Sequence, residues 1–83
     1  MADKKTILKQ IESVVQARRA DWRVGSTANA TETKARSGNP LDWLQWQADS
    51  ADDASEIVES LVAGGVKRSR LSGPGRTVFI LKA

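Results

Sequence analysis

Residues 51–63 constrain this chain more than any other segment. Ala54, Ile57, Val58, Leu61 and Val62 recur at helical spacing and form one apolar stripe. Ser50 stands at the N-cap position, and Asp52 and Asp53 occupy the first turn, where the helix dipole favours acid. Gly64-Gly65 stops the pattern. The spacing predicts a helix over 51–63 with one face that must be buried. Thr77-Val78-Phe79-Ile80-Leu81-Lys82, a near-continuous β-type run, reads as the central strand of a sheet. Residues 5–18 read as a second amphipathic helix. Ile7, Ile11, Val14 and Val15 make its stripe, Leu8 lies beside it, and Thr6 or Asp3 caps its start. A helix of that length is marginal alone in water, so it too must pack on something.

Two shorter segments carry strand patterns. In 21–27, Trp22 and Val24 point to one face and Arg23 and Gly25 to the other. Gly25 is unfavourable inside a strand and marks a bulge or a close approach of backbone or ligand. In 42–48, Leu44, Trp46 and Ala48 alternate with Trp43, Gln45 and Gln47. Aromatic content and short length favour a strand there over the helical alternative, in which Trp43 and Trp46 are three apart. Residues 28–40 read as a loop with a short helix near 31–36, closed by Ser37-Gly38-Asn39-Pro40. Residues 67–76, with Gly73-Pro74-Gly75, read as a basic loop. The order predicts one small α+β domain over 1–83, a three-stranded sheet with two main helices packed on it. So thin a core needs all three tryptophans, and Trp43 and Trp46 read as core and edge packing. An exposed Trp43 would instead suit base stacking.

The chain contains neither cysteine nor histidine. That excludes a disulfide framework, thiolate redox chemistry, Cys/His zinc sites and triads built on histidine. No apolar run approaches the roughly 20 residues of a membrane span, so no membrane partner is expected. No apolar stretch of leader type follows Met1-Ala2-Asp3-Lys4-Lys5, and a cytoplasmic location is the expectation.

The net charge of +3 is unevenly spread. Residues 66–83 hold Lys67, Arg68, Arg70, Arg76 and Lys82 with no acid, whereas 49–60 hold Asp49, Asp52, Asp53, Glu56 and Glu59 with no base. Clustered basic residues attract phosphate backbones. DNA or RNA is therefore the expected partner, contacted through Arg23, Lys34, Arg36, Lys67, Arg68, Arg70 and Arg76. The spacing of Ser69 and Gly73-Pro74-Gly75 is not that of a nucleotide-binding loop. The alternative is a protein–protein interaction module or adaptor with no nucleic-acid role, docked through the acidic helix or an open edge strand.

Val24-Gly25-Ser26-Thr27-Ala28-Asn29 resembles the second half of the signature of the GIY-YIG nucleases. In that family a strand ending in Tyr-Ile-Gly runs into Ser/Thr- and Asn-containing turn residues, then an arginine on a short helix. The likeness extends over about 21–83, behind an N-terminal helix within 1–20. A tryptophan-containing strand leads through Ala48-Asp49-Ser50 into a helix with Glu59, where the family places a metal-binding glutamate. The terminal Val78-Phe79-Ile80-Leu81-Lys82 looks like the strand that carries Gly-Ile-Tyr, displaced to the far end of the chain. The resemblance implies a Mg²⁺-dependent phosphodiesterase centre, with Glu59 on the metal and Arg36 stabilising charge. The chain departs from the family in having no tyrosine. Arg23 stands where the Tyr of Tyr-Ile-Gly belongs, Phe79 lacks a hydroxyl, and Arg36 fits only with a register shift. Hydrolysis needs a metal, a cation and a proton acceptor, and no spacing singles out the acceptor. The expectation is a nucleic-acid-binding domain with a degraded active site, weakly active or inactive.

Overall fold

A computed structural model describes residues 3–82 of the chain. Met1, Ala2 and Ala83, the ends of the single-domain reading, lie outside the described residues. The apolar stripes form helices α1 (Lys4–Val15) and α3 (Ala51–Ala63), and between them lie β1 (Trp22–Thr27), α2 (Ala30–Arg36) and β2 (Trp43–Gln47). Strands β3 (Lys67–Arg68) and β4 (Thr77–Lys82) complete one sheet in the order β2-β4-β1-β3. β4 runs antiparallel to β1 and β2, and β3 runs parallel to β1.

Among the described residues this small α+β domain thus has three α-helices and a four-stranded mixed sheet, rather than three strands and two main helices. The missed strand is Lys67–Arg68, read as the start of a loop. Two adjacent charged residues carry no period, and only pairing with Arg23 and Val24 makes them a strand. The first helix ends at Val15 rather than continuing to 18. Gln16 takes a positive φ, and Gln16–Asp21 tightens into a 3-10 segment that delivers the chain to β1. Gly25 sits in no bulge, because all six residues of β1 pair in unbroken register with β4.

The core fills the space between α1, α3 and one face of the sheet. Ile7, Ile11 and Val15 of α1 and Ala54, Ile57, Val58 and Leu61 of α3 meet Val24, Val78 and Ile80, with Trp22 and Trp46 at the margin. Each large aliphatic side chain buried there contributes about 1.5–3 kcal/mol. Two polar contacts fasten α1: Lys4 Nζ lies 2.6 Å from Glu56 on α3, and Trp46 Nε1 donates to Gln10 at 2.7 Å. The helix starts follow the cap logic of the sequence. Asp3 accepts the Thr6 N–H at 2.8 Å, and Ser50 accepts the Asp53 N–H at 3.1 Å. Ser50→Ala leaves that N–H without its acceptor and is expected to lower stability by about 0.5–2 kcal/mol. The urea unfolding midpoint measures this, and an unchanged midpoint would show that water replaces the cap at no cost.

Side chains alternate along β1, so Arg23, Gly25 and Thr27 face away from α1 and α3. Helix α2 packs on this second face at the far end of β1. The Thr27 and Thr33 hydroxyls share a hydrogen bond of 2.8 Å, and Thr33 is buried.

Candidate nucleic-acid interface

The register of the sheet lines up four residues on the second face. Leu81 of β4 pairs with Trp43 of β2 on one side and with Arg23 of β1 on the other, and Arg23 pairs with Lys67 of β3. Trp43, Leu81, Arg23 and Lys67 therefore form a transverse row, about 5 Å apart from strand to strand. Helix α2 begins beyond Thr27 and ends near this row. Its C-terminal Arg36 and Ser37 join Arg23 and Leu81 around a depression of about 530 Å³. Ser69, Arg70 and Leu71 close the other side.

Arg70 stands on a segment held by hydrogen bonds to the edge of β1, not in a free loop. Ser69 N–H donates to Val24 O at 2.9 Å, Ser26 N–H to Ser72 Oγ at 3.1 Å, and Gly73 N–H to Ser26 O at 2.8 Å. Ser69 is buried, and its Oγ accepts the Leu71 N–H at 3.2 Å, which folds the backbone around Arg70. The C-terminal carbonyls of α2 would weaken an anion site nearby, but three of them are occupied. Backbone N–H groups of Ser37, Gly38 and Asn39 donate to Thr33, Lys34 and Ala35 carbonyls. Among the described residues, no carboxylate approaches Arg23, Arg36 or Arg70 within 4.0 Å. Three arginines without a carboxylate partner among the described residues line one concavity. Chemically this is a polydentate donor set for phosphate oxygens.

The other sequence-derived residues are placed differently. Lys67 stands beside Arg23 in the row. Lys34 follows the sheet-facing Thr33 and sits half-buried on the flank of α2. Arg76 precedes β4 at the end opposite Leu81, about 16 Å along the strand. Arg68 pairs with Val24 on the helix-covered face, where its guanidinium binds the Glu59 carboxylate of α3. Arg36 and Glu59 therefore lie on opposite faces of the sheet. The residues of the implied Mg²⁺ centre do not fit that role together. The carboxylate meant for the metal is held by Arg68, and among the described residues no group of three metal-ligating side chains gathers.

The turn that carried the family resemblance does local work. Asn29 caps α2 by accepting the Glu32 N–H at 3.1 Å, and Thr27 Oγ1 accepts the Asn29 N–H at 3.1 Å. Thr33 Oγ1 donates to Asn29 O at 2.9 Å. The Thr6 backbone N–H holds the Asp3 carboxyl below its usual value, and the Glu56 carboxylate raises the Lys4 ammonium. Neither group lines the arginine concavity.

Sequence reasoning missed one component of this face, the contact between Trp43 and Phe79. Their rings stack with centroids 4.7 Å apart and planes 7° from parallel. Phe79 is fully buried although it faces away from the main core. It also abuts Gly25, where an added Cβ would lie 2.6 Å from Phe79 Cζ. The close approach expected at Gly25 is thus made by an aromatic ring of the same chain. The period-two pattern gives the face of Phe79, but the diagonal partner requires the register.

No helix among the described residues is long and apolar enough to cross a membrane. No protein-family model, curated protein or solved structure matches this chain.

Proposed function

We propose that this domain binds nucleic acid, DNA or RNA, through the concavity formed by Arg23, Arg36 and Arg70, with Lys67 beside it. The observation that carries this reading is one concavity lined by three arginines without carboxylate partners, from three separate elements, β1, α2 and the segment after β3. A solvated surface spreads its charges to limit repulsion. Here hydrogen bonds hold the backbone on both sides of Arg70, which lines the concavity with Arg23 and Arg36, and an anion is the natural compensating group. Binding without cleavage is the favoured form of the GIY-YIG-like reading. β4 supplies an antiparallel partner for the Gly25 strand, as a displaced strand would. The Arg68–Glu59 pair and the separation of Glu59 from Arg36 speak against a Mg²⁺ centre.

The test is fluorescence anisotropy of a labelled oligonucleotide at several salt concentrations. Each phosphate contact adds about 0.7–0.9 to the slope of log K against log salt. Replacing Arg23, Arg36 and Arg70 by Gln should weaken binding at least about tenfold at low salt and reduce the slope by about 2. Lys9→Gln on the exposed side of α1 serves as the charge control. A slope unchanged in the triple variant would refute the assignment. Absence of binding by the parent protein would move attention to the β2 edge. That edge carries no charge from Trp43 to Gln47, includes the 42 % exposed Leu44 and adjoins the fully exposed Leu41.

A further inference from the structure

We infer that the ligand is single-stranded and that one of its bases stacks on Trp43 while its phosphates occupy the arginine concavity. This rests on the nucleic-acid reading above and specifies its substrate class.

Trp43 and Arg23 lie in one transverse row, with Leu81 between them, about 10 Å apart across two strand spacings. A nucleotide with its flanking phosphate spans such a distance. Phe79 covers one face of the indole, so the exposed part of this half-buried side chain is its other face and rim. The ring is also held in orientation. Its Nε1 donates to Gln45 Oε1 at 2.9 Å, and Phe79 behind it is pinned against Gly25. A fixed aromatic plane needs no ordering when a base arrives, which lowers the entropic cost of binding. Leu81, half-buried between indole and guanidiniums, offers apolar contact to the sugar. A duplex cannot use this arrangement, because its bases are stacked on one another and turned inward. Unpaired bases can, and stacking of this kind is tolerant of sequence.

The other tryptophans do not share the feature. Trp22 and Trp46 pack at the margin of the helix-covered core, and the Trp46 indole N–H is occupied by Gln10. Quenching of tryptophan emission by a bound strand would therefore come from Trp43.

The experiment titrates the full chain with oligothymidylate and with a hairpin duplex of equal phosphate number. Anisotropy and tryptophan emission are followed together. Three proteins are compared: the parent, Trp43→Leu and Trp43→Phe. The parent should bind the single strand at least about fivefold more tightly than the duplex, with quenched emission. Trp43→Leu should lose about five- to a hundredfold of single-strand affinity and none of its duplex affinity. Trp43→Phe should retain most of the affinity but lose the quenching. Circular dichroism of each variant shows that it is folded. Equal affinity for strand and duplex, insensitive to Trp43→Leu, would overturn the stacking inference while leaving the phosphate reading intact. No binding of either probe at low salt would overturn both.

Discussion

Gly75→Ala is expected to destabilise the domain by about 3 kcal/mol or more, a large share of the 5–15 kcal/mol typical of a whole domain. Gly75 adopts φ +155°, a conformation that side chains disfavour, and an added Cβ would fall inside the backbone of Thr27 and Ala28. No rotamer relieves that overlap, because the clashing atom is Cβ itself. Relief requires the 73–75 segment to lift from the end of β1. Lifting it stretches the Gly73 N–H bond to Ser26 O at 2.8 Å and the Ser26 hydroxyl bond to Gly73 O at 2.6 Å. In a domain of this size each kcal/mol shifts the melting temperature by about 4–8 °C, so a drop of at least about 12 °C is expected. Gly73→Ala is the matched control. Nothing lies within 4 Å of its added Cβ, and it should change stability by no more than about 0.5 kcal/mol. Thermal melts followed by circular dichroism decide the matter. Similar melting temperatures for the two variants would mean that the segment is not fastened where its hydrogen bonds place it.

That fastening also explains why the sequence was read well in some places and poorly in others. α3 and β4 lie where the pattern placed them, because cap, stripe and stop signals of α3 agree and β4 is a long apolar run. Agreement between local signals and tertiary packing makes an element legible from sequence. β3 has no such support. Lys67–Arg68 is a strand only because the chain returns from α3 beside β1, and residues 69–73 then hydrogen-bond along the same edge. A glycine-rich basic segment thus reads as a loop although its backbone is tied down. The Arg68–Glu59 pair is hidden for the same reason. Residues 59 and 68 become neighbours only once Lys67–Arg68 pairs with β1.

The candidate site was legible as composition and not as geometry. Arg23, Arg36, Lys67 and Arg70 each stood out as basic residues. Their convergence depends on cross-strand register, on the direction of the short helix α2 and on the turn at Ser69. Arg76 and Arg68 had the same chemical claim and lie elsewhere, so charge counting alone could not separate the two groups. Trp43, Leu81, Arg23 and Lys67 are far apart in sequence and reach one row through pairings among four strands. No local period encodes such an alignment.

Phe79→Ala is expected to cost about 3–5 kcal/mol, and its effect reaches the site. Phe79 is fully buried on the face that α1 and α3 do not cover. Removing the ring leaves a cavity between Gly25, which has no side chain to fill it, and Trp43, whose stacking partner is gone. Phe79→Leu keeps most of the volume and should cost less than about 1.5 kcal/mol. It removes the aromatic backing from the indole while the domain stays folded, so the orientation of Trp43 can be tested apart from stability. Coupling with position 25 provides the sharper measurement. Gly25→Ala alone drives Cβ to 2.6 Å from the Phe79 ring and 2.9 Å from Ser72 Cβ, an overpacking that typically costs about 1–3 kcal/mol. In the Phe79→Leu background part of that space is open. The double variant should therefore be more stable than the sum of the two single losses predicts, by at least about 0.5 kcal/mol. Additive losses, read from urea unfolding of the four proteins, would mean that Gly25 is constrained by Ser72 and the segment beside β1. The glycine would then serve the edge of the sheet, and the Phe79–Trp43 stack would stand without it.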